Sequence, residues 1–231
     1  MRDERPEWVK KQYCQVCITV AAIFWTLESE EVLTAEGSRV QGMGKWYAKN
    51  KAQLQGLTEL IRGTLTKITR KAVVALVTQD VHNRDIIETL YNDKIVNISN
   101  FKWQQQLRYY WDLDVDDCVI RQVDASITYG YEYMGALSRL VITCLTDRCW
   151  MTITGALHIQ LGAAPAGPAG TGKTESTKDL AKGLARLCVV FNCSDQIDYR
   201  MMGKLYSGVV SSGAWTCLDE FNRISIEVLS V

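Results

Sequence analysis

Gly167-Pro168-Ala169-Gly170-Thr171-Gly172-Lys173-Thr174 is the stretch whose reading decides the fold. It fills the pattern Gly-x-x-x-x-Gly-Lys-Ser/Thr without a departure. Glycines let successive backbone N–H groups turn inward around an anion, and a helix that starts at the end of the loop aims its positive dipole at the same point. In this pattern Lys173 reaches the β- and γ-phosphates of a nucleotide, and the Thr174 hydroxyl ligates Mg²⁺. Average composition produces such a match at about 4 in 100,000 starting positions, or about once in a hundred chains of this length. Context therefore has to decide. An apolar stretch, Ile159 to Ala164, precedes the loop and reads as a strand. Glu175 to Leu187 reads as a helix with Leu180, Leu184 and Leu187 on one face. Strand, loop and helix in that order are what a phosphate loop requires.

Working outward, a second apolar run, Ala214 to Leu218, ends in Asp219-Glu220, 46 residues beyond Lys173. A P-loop ATPase needs a carboxylate to hold Mg²⁺, directly or through water, and a second to orient or deprotonate the attacking water. Asp219 fits the first role and Glu220 the second. An acid pair in an exposed turn is the bland reading of the same residues. The adjacent glutamate favours hydrolysis over transfer to a second substrate. No Asn-Lys-x-Asp follows the acid pair, which argues against a GTPase. Leu187 to Asn192 reads as a strand buried on both faces, and Val209 and Val210 close a helix that Gly213 caps. Helices alternating with such strands predict an α/β domain with a parallel sheet.

Residues 1–125 differ in texture. Helices are predicted over Trp8 to Leu33, Lys45 to Val77, Asp85 to Leu90 and Phe101 to Tyr110. In the second, Leu54, Leu57, Ile61, Leu65 and Ile68 recur at spacings of three and four, while Lys45, Lys49, Lys51, Arg62, Lys67, Arg70 and Lys71 line the other face. That basic face reads as solvated. Tyr110 to Ile120 alternates as a strand and turn, and its aspartates lack the spacing of a calcium loop. Lys plus Arg equal Asp plus Glu at 26 each in 231 residues, so the basic surplus of a nucleic-acid coat is missing. The eight cysteines show a single Cys-x-x-Cys, Cys14 and Cys17, and read as reduced, mostly buried thiols. Val16 to Trp25 is apolar, but acids precede it, no small-residue cleavage site follows, and it is shorter than the roughly 20 residues a membrane helix needs. It predicts a buried helix, and no membrane partner.

Several longer segments carry a specific resemblance. Tyr129-Gly-Tyr-Glu-Tyr133, Arg139-Leu-Val-Ile-Thr143, Leu145-Thr-Asp-Arg-Cys149, the run from Ala163 to Glu175, Thr177-Lys-Asp-Leu-Ala-Lys182, Val189-Val-Phe-Asn-Cys-Ser-Asp195 and Gly213-Ala-Trp-Thr-Cys-Leu-Asp-Glu-Phe-Asn-Arg-Ile224 closely resemble the first AAA+ module of dynein heavy chains. The coverage is residues 126–231, a partial AAA+ ATPase module, while residues 1–125 more weakly resemble the helical linker that precedes it. Ile23 to Trp25 and Tyr131 to Leu140 look more like axonemal than cytoplasmic heavy chains.

The resemblance implies that Gly167 to Glu175 bind ATP, with Lys173 and Thr174 on phosphate and Mg²⁺, Asp219 supporting the metal and Glu220 as catalytic base. It makes Leu140, Val141 and Ile142 adenine contacts, for which plain core is the equal alternative. For Asn222 and Arg223 it leaves a capping or intersubunit contact. Ser138 and Cys144 stand where the family usually shows proline, Leu218 where it shows phenylalanine, and Trp150 where it shows tyrosine; none removes a catalytic group. The implied partners are neighbouring AAA+ modules and, through a full-length protein, microtubules and dynein intermediate and light chains. The implied location is cytoplasm and cytoskeleton, in a ciliary or flagellar axoneme. With Val231 as its last residue, the chain is expected to lack the later sensor strand, the helical lid, the neighbouring arginine finger, the stalk and the microtubule-binding domain, and to hydrolyse ATP poorly alone. A catalytically silent, nucleotide-holding interaction module is the alternative from another class.

Overall fold

Leu54, Leu57 and Ile61 keep one helix face apolar, but the helix does not run on through Leu65 and Ile68 as their spacing predicts. It ends as α3 (Arg39–Arg62), with the Gly63 N–H returning to the Leu60 carbonyl at 3.1 Å. Thr66 then opens α4 (Lys67–Asn92), its hydroxyl accepting from the Thr69 N–H at 3.2 Å. Glycine weakens helix propagation and threonine caps a new start, and here the two together outweigh the apolar period. Ile68, on the wrong side of the break, is exposed.

The computed structural model describes residues 5–136, 138–168 and 170–230. Its contacts divide into two units, Met1–Tyr129 with Tyr133–Ala163, and Gly130–Glu132 with Ala164–Val231.

The first unit packs α3 and α4 with α1 (Arg5–Lys11) and α2 (Cys14–Thr34). The continuous helix expected from Trp8 to Leu33 is interrupted before Cys14, because Tyr13 is extended (φ −69°, ψ 146°) and its carbonyl starts a new helical ladder at the Cys17 N–H. Asp85 to Leu90 is the end of α4 rather than a separate helix. Thr26 and Ser29 are buried in α2, and each satisfies its hydroxyl on the carbonyl four residues back, at 3.0 and 2.7 Å. One core cluster gathers Trp25, Leu33, Met43, Trp46, Ile87, Leu90 and Trp103. A second holds Val9, Cys17, Ala21, Leu57, Val73 and Leu76.

Phe101 to Tyr110, expected as a helix, forms a single turn, α5 (Phe101–Gln104), and then enters β1 (Arg108–Asp112). The aromatic run Tyr109-Tyr110-Trp111 suits a pleated surface better than a helix, and β2 (Asp117–Gln122) pairs with it, Tyr110 opposite Val119. Antiparallel β3 (Ala125–Thr128) completes a β1-β2-β3 meander. The acidic stretch is thus the expected strand and turn, Asp112 accepting from the Asp114 N–H at 3.0 Å. α6 (Cys144–His158) joins the sheet through the Thr154 hydroxyl, 2.8 Å from the Gln122 side-chain oxygen.

The strand predicted over Ile159 to Ala164 does not form among the described residues. Ile159, Gln160 and Leu161 are used to terminate α6: Gln160 turns left-handed (φ 61°), its N–H bonds the Leu157 carbonyl at 3.0 Å, and the Leu161 N–H bonds that of Ala156 at 2.8 Å. Gly162 to Ala166 then run on without regular structure.

The second unit is β-α-β in its centre. β4 (Cys188–Asn192) and β5 (Trp215–Asp219) pair in parallel, with α8 (Tyr199–Ser212) between them in sequence. Asp198 caps the start of α8, and Gly213 ends it in the left-handed conformation predicted (φ 68°). α7 (Lys173–Gly183) packs against both strands with Leu180 fully buried. Leu184, just past its end, is fully buried too, but Leu187 leaves that face and is exposed. β4 is not buried on both faces as its composition predicts: Val189 and Val190 are 38% and 37% exposed, and among the described residues β4 pairs with β5 alone. A 3-10 turn (Phe221–Arg223) and the short α9 (Ile226–Leu229) follow β5. Cys14, Cys17, Cys118 and Cys193 are buried, the other cysteines partly or fully exposed. Among the described residues no helix is long and apolar enough to cross a membrane.

Candidate nucleotide site

The site lies within the second unit, where the phosphate loop meets the end of β5. Gly172 is the N-cap of α7 and is left-handed (φ 77°, ψ 20°), a conformation a side chain would strain. That kink starts the helix at Lys173, so its free N–H groups face the loop. Thr171 ties the loop across itself, its hydroxyl donating to the Pro168 carbonyl at 2.9 Å. Lys173 folds back over the same loop, its Nζ donating to the carbonyls of Gly167 and Pro168 at 2.8 and 2.6 Å. Gly167, Pro168, Gly170, Thr171, Gly172, Lys173 and Thr174 are thus gathered in one turn, while Ala169 lies outside the described residues.

Thr174, on the first turn of α7, reaches the end of β5. Its hydroxyl donates to the Asp219 Oδ2 at 3.0 Å. The other carboxylate oxygen of Asp219 accepts from the Glu220 N–H at 3.0 Å, and the Asp219 carbonyl takes the Cys193 N–H at 2.9 Å. The sequence positions 173–174 and 219–220, far apart along the chain, are therefore neighbours in space. Two hard oxygen donors side by side suit Mg²⁺, which keeps most of its shell as water and phosphate. Among the described residues no group of three or more His, Cys, Asp or Glu gathers to hold a metal, and such an Mg²⁺ site needs none.

Glu220 adopts a left-handed backbone (φ 54°, ψ 37°) as it caps the 3-10 turn. Its carboxylate is half-exposed and lies 3.3 Å from the Nε of Arg223. Glu175 is exposed and pairs with Lys178 at 2.6 Å, a contact that raises the lysine's affinity for its proton. Burial pushes up the thiols of Cys188 and Cys217 on the two strands, which keeps them protonated. Leu140, Val141 and Ile142 lie in the first unit, on an irregular stretch ahead of α6; Val141 is exposed and its neighbours are half-buried.

One residue that motif reasoning passed over is Gly130. Its N–H donates to the Leu184 carbonyl at 2.9 Å, and a Cβ there would lie 2.3 Å from the Ala185 carbonyl oxygen. Only glycine fits so close to the end of α7. A Gly in an aromatic run, Tyr129-Gly130-Tyr131, was the signal.

Residues 129–231 match a family model described as the hydrolytic ATP binding site of the dynein motor region. Over 229 residues the chain is 53% identical to human dynein axonemal heavy chain 6, covering 98% of this chain and 6% of that protein. It is 52% identical over 230 residues to mouse dynein axonemal heavy chain 2, covering 99% of this chain and 5% of that one. With rat dynein axonemal heavy chain 12 the identity is 50% over 227 residues, covering 98% and 7%. The chain spans a small fraction of the length of these relatives. A likeness this strong, running through both units and through the loop and the acid pair, makes the chain a member of the dynein heavy-chain family that carries part of its ATP-binding AAA region.

Proposed function

We propose that this chain is the end of a helical linker, residues 1–125, and the first part of an AAA+ module, residues 126–231, of an axonemal dynein heavy chain. In that heavy chain it binds Mg²⁺-ATP, and hydrolysis drives movement along microtubules in a cilium or flagellum. The observation that carries this reading is the 3.0 Å contact between Thr174 and Asp219, which joins the phosphate loop to the acid pair. A chance loop sequence would have no reason to meet the one Asp-Glu that ends a parallel strand.

The roles follow from the chemistry. Backbone N–H groups of the loop and of the first turn of α7 bind phosphate oxygens, and Lys173 exchanges its loop carbonyls for the β- and γ-phosphates, a stronger charge-assisted contact. Thr174 and Asp219 hold Mg²⁺, which when bound neutralises charge on the phosphates. Glu220 accepts a proton from the attacking water. Neighbouring AAA+ modules, microtubules and the intermediate and light chains are partners of the whole heavy chain.

Two substitutions test this in the heavy chain that carries the segment. Lys173→Ala weakens labelled ATP by about 10- to 100-fold, the usual worth of a hydrogen bond to a charged group. Glu220→Gln keeps ATP bound but slows single-turnover hydrolysis on the order of 10²- to 10⁴-fold, because an amide of the same shape takes no proton. Parent affinity in the first variant, or parent rate in the second, refutes the corresponding role. ATP held with no turnover in the parent itself favours the silent, nucleotide-holding module.

A further inference from the structure

Arg223 is the residue of the Asp219–Ile224 run whose role the nucleotide chemistry leaves open. Three observations tie it to Glu220. Its Nε is 3.3 Å from Glu220 Oε2. Its backbone N–H donates to the Glu220 carbonyl at 3.0 Å, closing the 3-10 turn. Glu220 itself sits at φ 54° and ψ 37°, a region that costs a side-chain-bearing residue energy and that persists where the surroundings enforce it.

We propose that Arg223 is a positioning residue for Glu220. A glutamate has three rotatable bonds, and this one is half-exposed, so nothing in the core restrains its carboxylate. A base must be held where its proton will arrive, since small misplacements slow catalysis. The turn does this with two ties from the same residue. The backbone bond sets the separation of the two side chains, and the guanidinium, whose charge never titrates away, fixes where the carboxylate lies. Among the described residues Glu220 makes no other ion pair. Because the pair is exposed, it is worth little energetically, so the effect of losing it on the rate is expected to be small.

The inference rests on Glu220 being the base proposed above, and its test separates the two. In the heavy chain, Arg223→Ala lowers the single-turnover rate about two- to fivefold with KM for ATP unchanged, matching the loss of one exposed ion pair. Arg223→Lys, which keeps charge and reach, restores most of the rate. In a Glu220→Gln background Arg223→Ala has no further effect, because the carboxylate it positions is gone. A slow Glu220→Gln with Arg223→Ala at the parent rate overturns this inference alone. So does a rate loss of the same size in the Glu220→Gln background, which would mark Arg223 as structural. A Glu220→Gln variant at the parent rate overturns the base itself.

Discussion

The two units of this chain spend their apolar residues differently. In the first, Trp103, Leu33, Met43, Leu57, Leu76, Ile87 and Leu90 are all but inaccessible to solvent. In the second, Leu180 and Leu184 are the large side chains buried to that degree, while Val189, Val190, Val210 and Ile226 are exposed. Polar side chains divide the other way. The first unit uses Thr26, Ser29, Glu30 and Gln122 to bond its own backbone and side chains. In the second, Lys173, Thr174 and Asp219 converge on one loop. One unit is a packed scaffold, and the other holds its chemistry on a lightly covered sheet.

The largest difference is expected in core truncations. Trp103 is fully buried against Trp25, ring centroids 5.3 Å apart, and its indole N–H donates to Glu30 at 3.1 Å. Trp103→Ala should cost about 3–5 kcal/mol in denaturant unfolding of the chain. Val190→Ala on the half-exposed β4 should cost under about 1 kcal/mol, since little of its side chain leaves water on folding. All tryptophans except Trp215 lie in the first unit, so their fluorescence follows that unit. Equal losses for the two variants would erase the contrast.

Legibility in the sequence tracks the same division, for physical reasons. The phosphate loop was readable because backbone geometry dictates its residue types. The helix after it was legible but read as Glu175 to Leu187, whereas it runs from Lys173 to Gly183. The β5–Asp219 junction was legible in the apolar run that ends in the acid pair. Gly213 was readable as a cap for the same reason. The strand ahead of the loop was misread because Ile159 to Leu161 look apolar whether they pair in a sheet or terminate a helix. The break between α3 and α4 was written in Gly63 and Thr66, but an apolar period running through it hid it. The left-handed turn at Glu220 left no trace, since glutamate gives no hint of a positive φ.

Acid sharpens the comparison within the first unit. His82 of α4 and Asp147 of α6 face each other at 3.5 Å, both largely out of water. Burial drives the histidine down to about 4, with Asp85 opposing and Arg139 adding to the shift. Burial alone drives Asp147 up to about 6. The folded state therefore resists protonating His82, and stability is lost as pH falls from about 6.5 to 4. It binds the Asp147 proton more tightly than the unfolded chain does, so stability is gained as pH falls through about 6. The two oppose each other in the parent. Relative to the parent, Asp147→Asn should lose about 1–3 kcal/mol between pH 7 and 4, and His82→Asn should gain a similar amount. Melting curves across that range decide it, and two variants that both track the parent would show that these groups do not titrate as their burial dictates.

The smallest effect compares one backbone feature across both units. Helices α4, α6 and α7 each end with a left-handed residue that is not glycine: Lys94 at φ 54°, Gln160 at φ 61° and Ala185 at φ 50°. At Lys94 the N–H bonds the Tyr91 carbonyl at 3.1 Å and the next N–H, of Ile95, bonds that of Leu90 at 2.9 Å, with Ile95 and Leu90 both buried. Ala185 repeats the pattern on Lys182, with Arg186 on Ala181. A side chain in this conformation costs about 1–2 kcal/mol, part of which glycine would return as extra freedom of the unfolded chain. Lys94→Gly and Gln160→Gly, at exposed sites, should each stabilise by about 0.5–1 kcal/mol. Ala185 is fully buried, and deleting its methyl forfeits about 0.8 kcal/mol of burial. Ala185→Gly should therefore come out near zero. Thermal midpoints of the three variants side by side provide the measurement. A gain at Ala185 equal to that at Lys94 would mean its methyl contributes nothing to packing, and that the second unit is looser at the end of α7 than its burial indicates.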